Sequence, residues 1–208
     1  MSLASYGDLQ TAVANWLNKS NLAAYIPDFI ALAEADINRE LRIRNMEAIG
    51  TGTFSSQTLD LSSVLTRYAK VKSVTLSSGG AYWVQNYISP QQYYGLHYDS
   101  QTGIPRDYTI IGDDMYFGPS PDDSYTWTIW YYQKLDSLAT TATNTVLTNH
   151  PDVYLYGSLV AAEPFLKNDA RVALWKTLYG QALEGVKRES RNDRPGGTSK
   201  QTSEMGTP

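Results

Sequence analysis

Apolar positions recur at helical spacing at both ends of this chain, and a two-residue alternation takes over between them. Leu9, Val13, Trp16 and Leu17 form one stripe, which predicts a helix starting at Ser5. Ser5-x-x-Asp8 resembles a capping box with Asp in place of Glu, and Asp8 suits the positive N-terminal end. The polar run Asn18 to Asn21 ends it. Pro27 fits the first turn of a second helix, where its missing N–H costs nothing. Phe29, Ile30, Ala33, Ile37 and Leu41 make that helix's buried face. It is expected to run to about Arg44, with Arg39, Arg42 and Arg44 in its last turns, where cations suit the helix dipole.

Gly50 and Gly52 mark the change of period, and strand and turn signals continue to about Lys134. Val71, Val74 and Leu76 alternate with polar residues. Ser77-Ser78-Gly79-Gly80 reads as a turn, and Tyr82 to Tyr87 as the returning strand. Ser89 caps a short helix over Gln91 to Leu96. Tyr108 to Ile111 and Met115 to Phe117 flank Gly112-Asp113-Asp114 as a second hairpin. Tyr125 to Tyr132 is the strongest strand. Tyr125, Trp127, Ile129 and Tyr131 share one face, with Trp130 and Tyr132 on the other, so both faces are expected to be covered. Leu135 to Asn149 reads as a loop.

Pro151 then opens the most apolar helix of the chain, with Pro164 expected to kink or loosen it near Ala161. Asn168-Asp169 caps a last helix, whose stripe is Val172, Trp175, Tyr179, Ala182, Leu183 and Val186. After Arg188 the pattern stops, and the remainder reads as a disordered tail. The fold class expected is mainly α with a β-rich insertion (α+β). Residues 1–49 and 135–190 supply a bundle of N- and C-terminal helix pairs, 50–134 are a β-hairpin domain, and 191–208 are a flexible basic tail.

Composition sharpens this in three ways. The 208 residues are 42% hydrophobic, enough for a sizeable core. The absence of cysteine removes disulfides and thiolate metal sites. The net charge of −4 divides unevenly: from Lys187 onward five basic residues meet three acids, +2, which leaves −6 for the rest. Nothing global attracts nucleic acid or an anionic membrane. No secretion signal or membrane span is predicted, so the reading is an intracellular soluble chain.

Catalytic chemistry is hard to find. Gly112-Asp113-Asp114 resembles a polymerase metal turn, but Gly and Asp are also what a hairpin turn requires. His97 and His150 are not at ligand spacing, and His150 suits a helix entry. Gly50-x-Gly52 lacks the third glycine and following helix of a phosphate loop. Arg39, Arg42 and Arg44 could touch phosphates, or form a solvated helix end pairing with Glu40 or Glu47. Trp127, Trp130, Tyr131 and Tyr132 could stack bases or sugars, although Lys134 is the one close cation. No catalytic residue, metal or cofactor is expected.

The ordered motifs are more telling. Tyr6-x-Asp8-Leu9, Ile26-Pro27-x-Phe29-Ile30, Ala33-Glu34, Ile37-Asn38-Arg39 and Leu41-Arg42 stand at one end. Pro151-Asp152-x-Tyr154-Leu155-Tyr156-Gly157 and Ala162-x-Pro164-Phe165-Leu166 stand at the other, with Gly103-Ile104-Pro105, Tyr108-x-Ile110 and Pro119-x-Pro121 between. This set resembles the head–tail adaptor (connector) proteins of tailed bacteriophages, as in short-tailed phages. The resemblance implies a non-enzymatic virion protein at the head–tail junction, assembled in the host cytoplasm. Its partners would be the portal protein, tail or nozzle proteins, and further copies of itself in a ring, usually a dodecamer. Genomic DNA would pass through without sequence-specific binding, and no membrane is involved. Lys187, Arg188, Arg191 and Arg194 are the expected portal-binding residues. Tyr125, Trp127, Trp130 and Tyr132 are the expected subunit interface. Truncation after Glu184 is expected to leave the fold intact. The alternatives are a tail-completion or head-closure protein, and an aromatic binding module for nucleic acid or glycan.

Overall fold

The structure, a computed structural model, describes residues 3–18, 20–97, 101–166 and 169–192. Helix α1 (Tyr6–Leu17) begins where Ser5 Oγ accepts the Asp8 N–H at 3.2 Å. It ends on Asn18, whose left-handed backbone (φ 53°) lets its N–H close on the last carbonyls. Helix α2 (Ile26–Glu40) carries Pro27 in its first turn. It stops at Glu40, four residues before the expected Arg44. The reason is in the sequence: Leu41-Arg42-Ile43-Arg44 alternates with period two, and Leu41 and Ile43 are both buried. Arg42 donates to the carbonyls of Asn38 and Leu41 at the helix end. Arg39 pairs with Asp36 at 2.8 Å, rather than with Glu40 or Glu47.

The β region follows. It contains β1 (Glu47–Phe54), β2 (Thr58–Asp60), α3 (Leu61–Val64), β3 (Tyr68–Ser78), β4 (Ala81–Val84) and β5 (Asn86–Tyr87). Next come α4 (Pro90–Leu96), β6 (Thr102–Gly103), β7 (Asp107–Ile111), β8 (Asp114–Gly118), β9 (Ser120–Pro121) and β10 (Tyr125–Gln133). One four-stranded sheet has the order β1-β10-β3-β4 and is antiparallel throughout. A second has the order β2-β8-β7-β5, and β6 pairs with β9.

The β3–β4 hairpin turns on Gly79 and Gly80, both at positive φ, where a side chain would be strained. The expected strand Tyr82 to Tyr87 is in fact two. Gln85 is buried at the division; its N–H bonds the Val74 carbonyl and its side chain the Pro105 carbonyl at 3.0 Å. Beyond it β5 leaves for the second sheet. The α4 cap has both halves of the capping box, Ser89 and Gln92. Gly112-Asp113-Asp114 forms the β7–β8 hairpin turn.

The sequence from Leu135 to Asn149 is not all loop. Asn144 caps a short helix, α5 (Thr145–Asn149), by accepting the Leu147 N–H at 3.0 Å. Leu135, Leu138, Val146 and Leu147 are buried. The N–H groups of Leu135 and Leu138 bond Asn38 and Glu34 of α2, each at 2.9 Å, which fastens this segment to the body. Helix α6 (Pro151–Leu166) continues two residues past Pro164. Helix α7 (Asp169–Asn192) runs four residues beyond the expected end at Arg188. Asn168, the expected cap, lies outside the described residues, as does the segment 193–208.

Helix α6 is the axis of the body. It packs against α1, α2, α5 and α7, and buries Val153, Tyr154, Leu155, Leu159 and Ala162 on successive sides. A helix surrounded in this way has no polar face to keep, which is why its sequence is the most apolar in the chain. Gly157 lets α2 and α7 close in: a Cβ there would lie 3.2 Å from Ala33 and 3.1 Å from the Tyr179 ring. Its one fully buried acid, Glu163, accepts from Trp175 Nε1 at 3.0 Å and pairs with Arg171 at 3.3 Å.

Candidate assembly surfaces

The expected interface residues separate by burial. Tyr125 and Trp127 lie in the β core with Ile129 and Tyr131, the four that share one face of β10. Trp127, 3% exposed, lies flat on β1. A Cβ at Gly52 would come within 2.7 Å of its ring, and one at Gly50 within 3.3 Å. Those glycines therefore make room for an indole, not for a phosphate. The Tyr125 hydroxyl donates to Asp122 at 2.6 Å; burial, and then that carboxylate, push its pKa up to about 12. Tyr132 is in the helical core instead. Tyr132 stands on the same face of β10 as Trp130, opposite Tyr131, and at that end of the strand the helical core covers it.

Trp130 is 44% exposed. It sits in the outer face of the four-stranded sheet, with Lys72 Nζ 4.6 Å from its ring centre and 2.7 Å from Glu47 Oε1. Beyond the row of Glu47, Tyr132 and Lys70, the rest of that face is uncharged. One row is Thr53, Thr126, Ser77 and Tyr82; the next is Thr51, Thr128, Thr75 and Val84; the third is Ile49, Trp130 and Ser73. Tyr82 at 76%, Val84 at 73% and Ile49 at 63% are among the most exposed large apolar residues described. The sequence carried a signal for them, an apolar-rich hairpin strand without Lys, Asp or Glu, but exposure there could not be read without knowing which strand is the edge.

The second surface is the end of α7. Lys187 pairs with Glu40 of α2 at 3.4 Å and with Glu184 at 3.3 Å. Partial burial pulls its ammonium pKa down, and the hydrogen bonds to Glu184 and Glu40 outweigh that, so the net shift is upward. Arg188 and Arg191 are exposed. Arg188 lines an open groove of about 760 Å³ between α6 and α7, with His150, Asp152, Gln181, Glu189 and Asn192. Ser190 Oγ accepts the Arg44 N–H at 3.1 Å. Val186 is buried in the helical core, so truncation after Glu184 would remove part of that core. Arg194 lies outside the described residues.

Asp113 accepts the Leu61 N–H through its carbonyl at the β7–β8 turn. The His97 ring is pressed against Gly118, with Nε2 3.4 Å from Asp107. His150 joins α5 to α6. Among the described residues no group of three or more His, Asp or Glu is placed to hold a metal ion, and no helix is long and apolar enough to cross a membrane.

The model of the SU10 adaptor protein family matches residues 4–200. The chain belongs to the SU10 adaptor protein family. The match bears out the resemblance to phage head–tail adaptors, and the mixed α+β architecture expected from the helix and strand signals is the one observed. The adaptor is a viral structural protein of a family that interacts with other phage components. No curated protein matches the chain.

Proposed function

We propose that this adaptor is the head–tail connector subunit of a tailed phage, assembling as a ring, most simply a dodecamer, beneath the portal. There it extends the DNA channel and offers the platform on which tail or nozzle proteins build. The observation that carries the reading is the family match across nearly the whole chain. The architecture supports it: a closed helical body bears a β domain whose outer sheet face and edges are open. The net negative body suits a channel through which DNA slides without being held.

The portal contact is proposed at the end of α7 and the basic sequence after it. Lys187 already has two carboxylate partners, so Arg188, Arg191 and Arg194 carry more of the proposed contact. The test is binding of purified portal to the wild type, to a chain cut after Asn192, and to Arg188→Glu/Arg191→Glu. The cut chain and the charge-reversed variant should keep their circular dichroism and lose portal binding. Undiminished binding by both would place the contact elsewhere. The aromatic-module alternative is weakened by the burial of Trp127, which leaves Trp130 as the accessible indole of β10.

A further inference from the structure

The four-stranded sheet ends in two open edges, and alternation fixes what each edge presents. The hairpin closes on the Ser78–Ala81 pair, and the Gln85 N–H bonds the Val74 carbonyl, so alternate residues of β4 face β3. Tyr82 and Val84 lie between them, and their backbone N–H and C=O groups point away from the sheet. The same alternation carried across β3 and β10 turns the backbone groups of Ile49, Thr51 and Thr53 outward from β1. Among the described residues nothing hydrogen-bonds these five backbones. All five side chains stand on the outer face of the sheet. β4 is short and β1 opens on Glu47, which pairs with Lys72; the remaining stretches Ala48–Phe54 and Ala81–Val84 contain no charge and no proline.

We infer that β4 of one copy pairs with β1 of the next, so that the sheet continues from subunit to subunit. This rests on the ring reading above and names its seam. Four is an even number of strands, so β1 and β4 run in opposite directions. Copies repeated by rotation about an axis along the strands therefore meet antiparallel, and their outward-facing residues belong to the same rows. An odd number would satisfy neither condition. Charge points to the same occupant. Two copies, each acidic outside the C-terminal segment, repel in general and can approach along the uncharged stretches of β1 and β4. Size points to a ring rather than a pair. A stable two-body interface buries about 800 Å² per partner, more than a four-residue strand supplies; a closed ring in which every copy uses both edges repeats the contact.

The chain has no cysteine, so cross-linking reads the seam without background. Val84→Cys is combined in turn with Ile49→Cys, Thr51→Cys and Thr53→Cys, and each is oxidised over a protein concentration series while light scattering records particle mass. At least one double variant should give a ladder rising by one chain mass, with all single variants remaining uncross-linked. Val84→Lys, a charge on an open edge, should raise the concentration needed for multimers by about tenfold or more without changing circular dichroism. Dimers from Val84→Cys alone would mean a two-fold contact and overturn the proposal. So would multimers that no pair cross-links, or a particle that stays monomeric at every concentration. Portal binding that persists without this seam sinks the seam alone. A ladder from a protein that ignores portal sinks the portal role alone.

Discussion

The helical body and the β domain solve burial in opposite ways. Helix α6 is apolar all round, and its neighbours, with the Leu135–Leu138 segment and α5, close over it. The β domain buries one face of its main sheet under Trp127, Ile129 and Tyr131, and leaves the other face and both edges open. The body spends its apolar sequence on its own stability. The sheet leaves Tyr82, Val84, Ile49 and Trp130 exposed, the surface that the proposed seam would use.

Substitutions on the two faces of β10 should separate these roles. On the inner face Trp127→Ala removes an indole packed on Gly50 and Gly52. It should lower stability by about 3–5 kcal/mol, read from urea midpoints. Loss of glycan or nucleic-acid affinity with stability unchanged would contradict the core assignment. High pH should come next in effect. Burial raises the hydroxyls of Tyr125, Tyr154 and Tyr179 above the ordinary value, assisted at Tyr125 by Asp122 and at Tyr179 by Asp36. The unfolded chain ionises these tyrosines near pH 10 while the folded one does not. Their contribution is therefore complete below about pH 10 and declines as pH rises through the folded values. Denaturant midpoints that stay level from about pH 9 to 12 would contradict it. On the outer face Trp130→Ala should change the midpoint least, by about 1 kcal/mol or less, and act instead on association. A large loss of stability there would show that the outer face is core after all.

Local chemistry made much of this legible. Ser5, Gly79-Gly80 and Ser89 act within three or four residues of themselves, and the elements they open start where expected, although the strand after Gly80 stops at Val84. The end of α2 was hidden because Arg39, Arg42 and Arg44 look like cations completing a helix, although the Leu41-Ile43 alternation already marks extended chain. Helix α5 was hidden by its threonines, with only Asn144 to signal a cap. The candidate site was less legible still. Alternation gives Tyr132 the face of Trp130, but that the helical body covers one end of this face depends on tertiary packing, and Tyr82 and Val84 lie at an edge because of strand order. Both are properties of partners distant in sequence, which periodicity does not encode. The end of α7 was read as the start of a tail because its last turns lack an apolar stripe. They remain helical beside Glu40, Arg44 and His150.

The most direct test is particle mass by light scattering of this protein alone and mixed with its purified portal, followed by electron microscopy of the complex. The account predicts a ring of many copies seated under the portal, with the β domains in contact around it. A protein that leaves the portal bare at every concentration would contradict it.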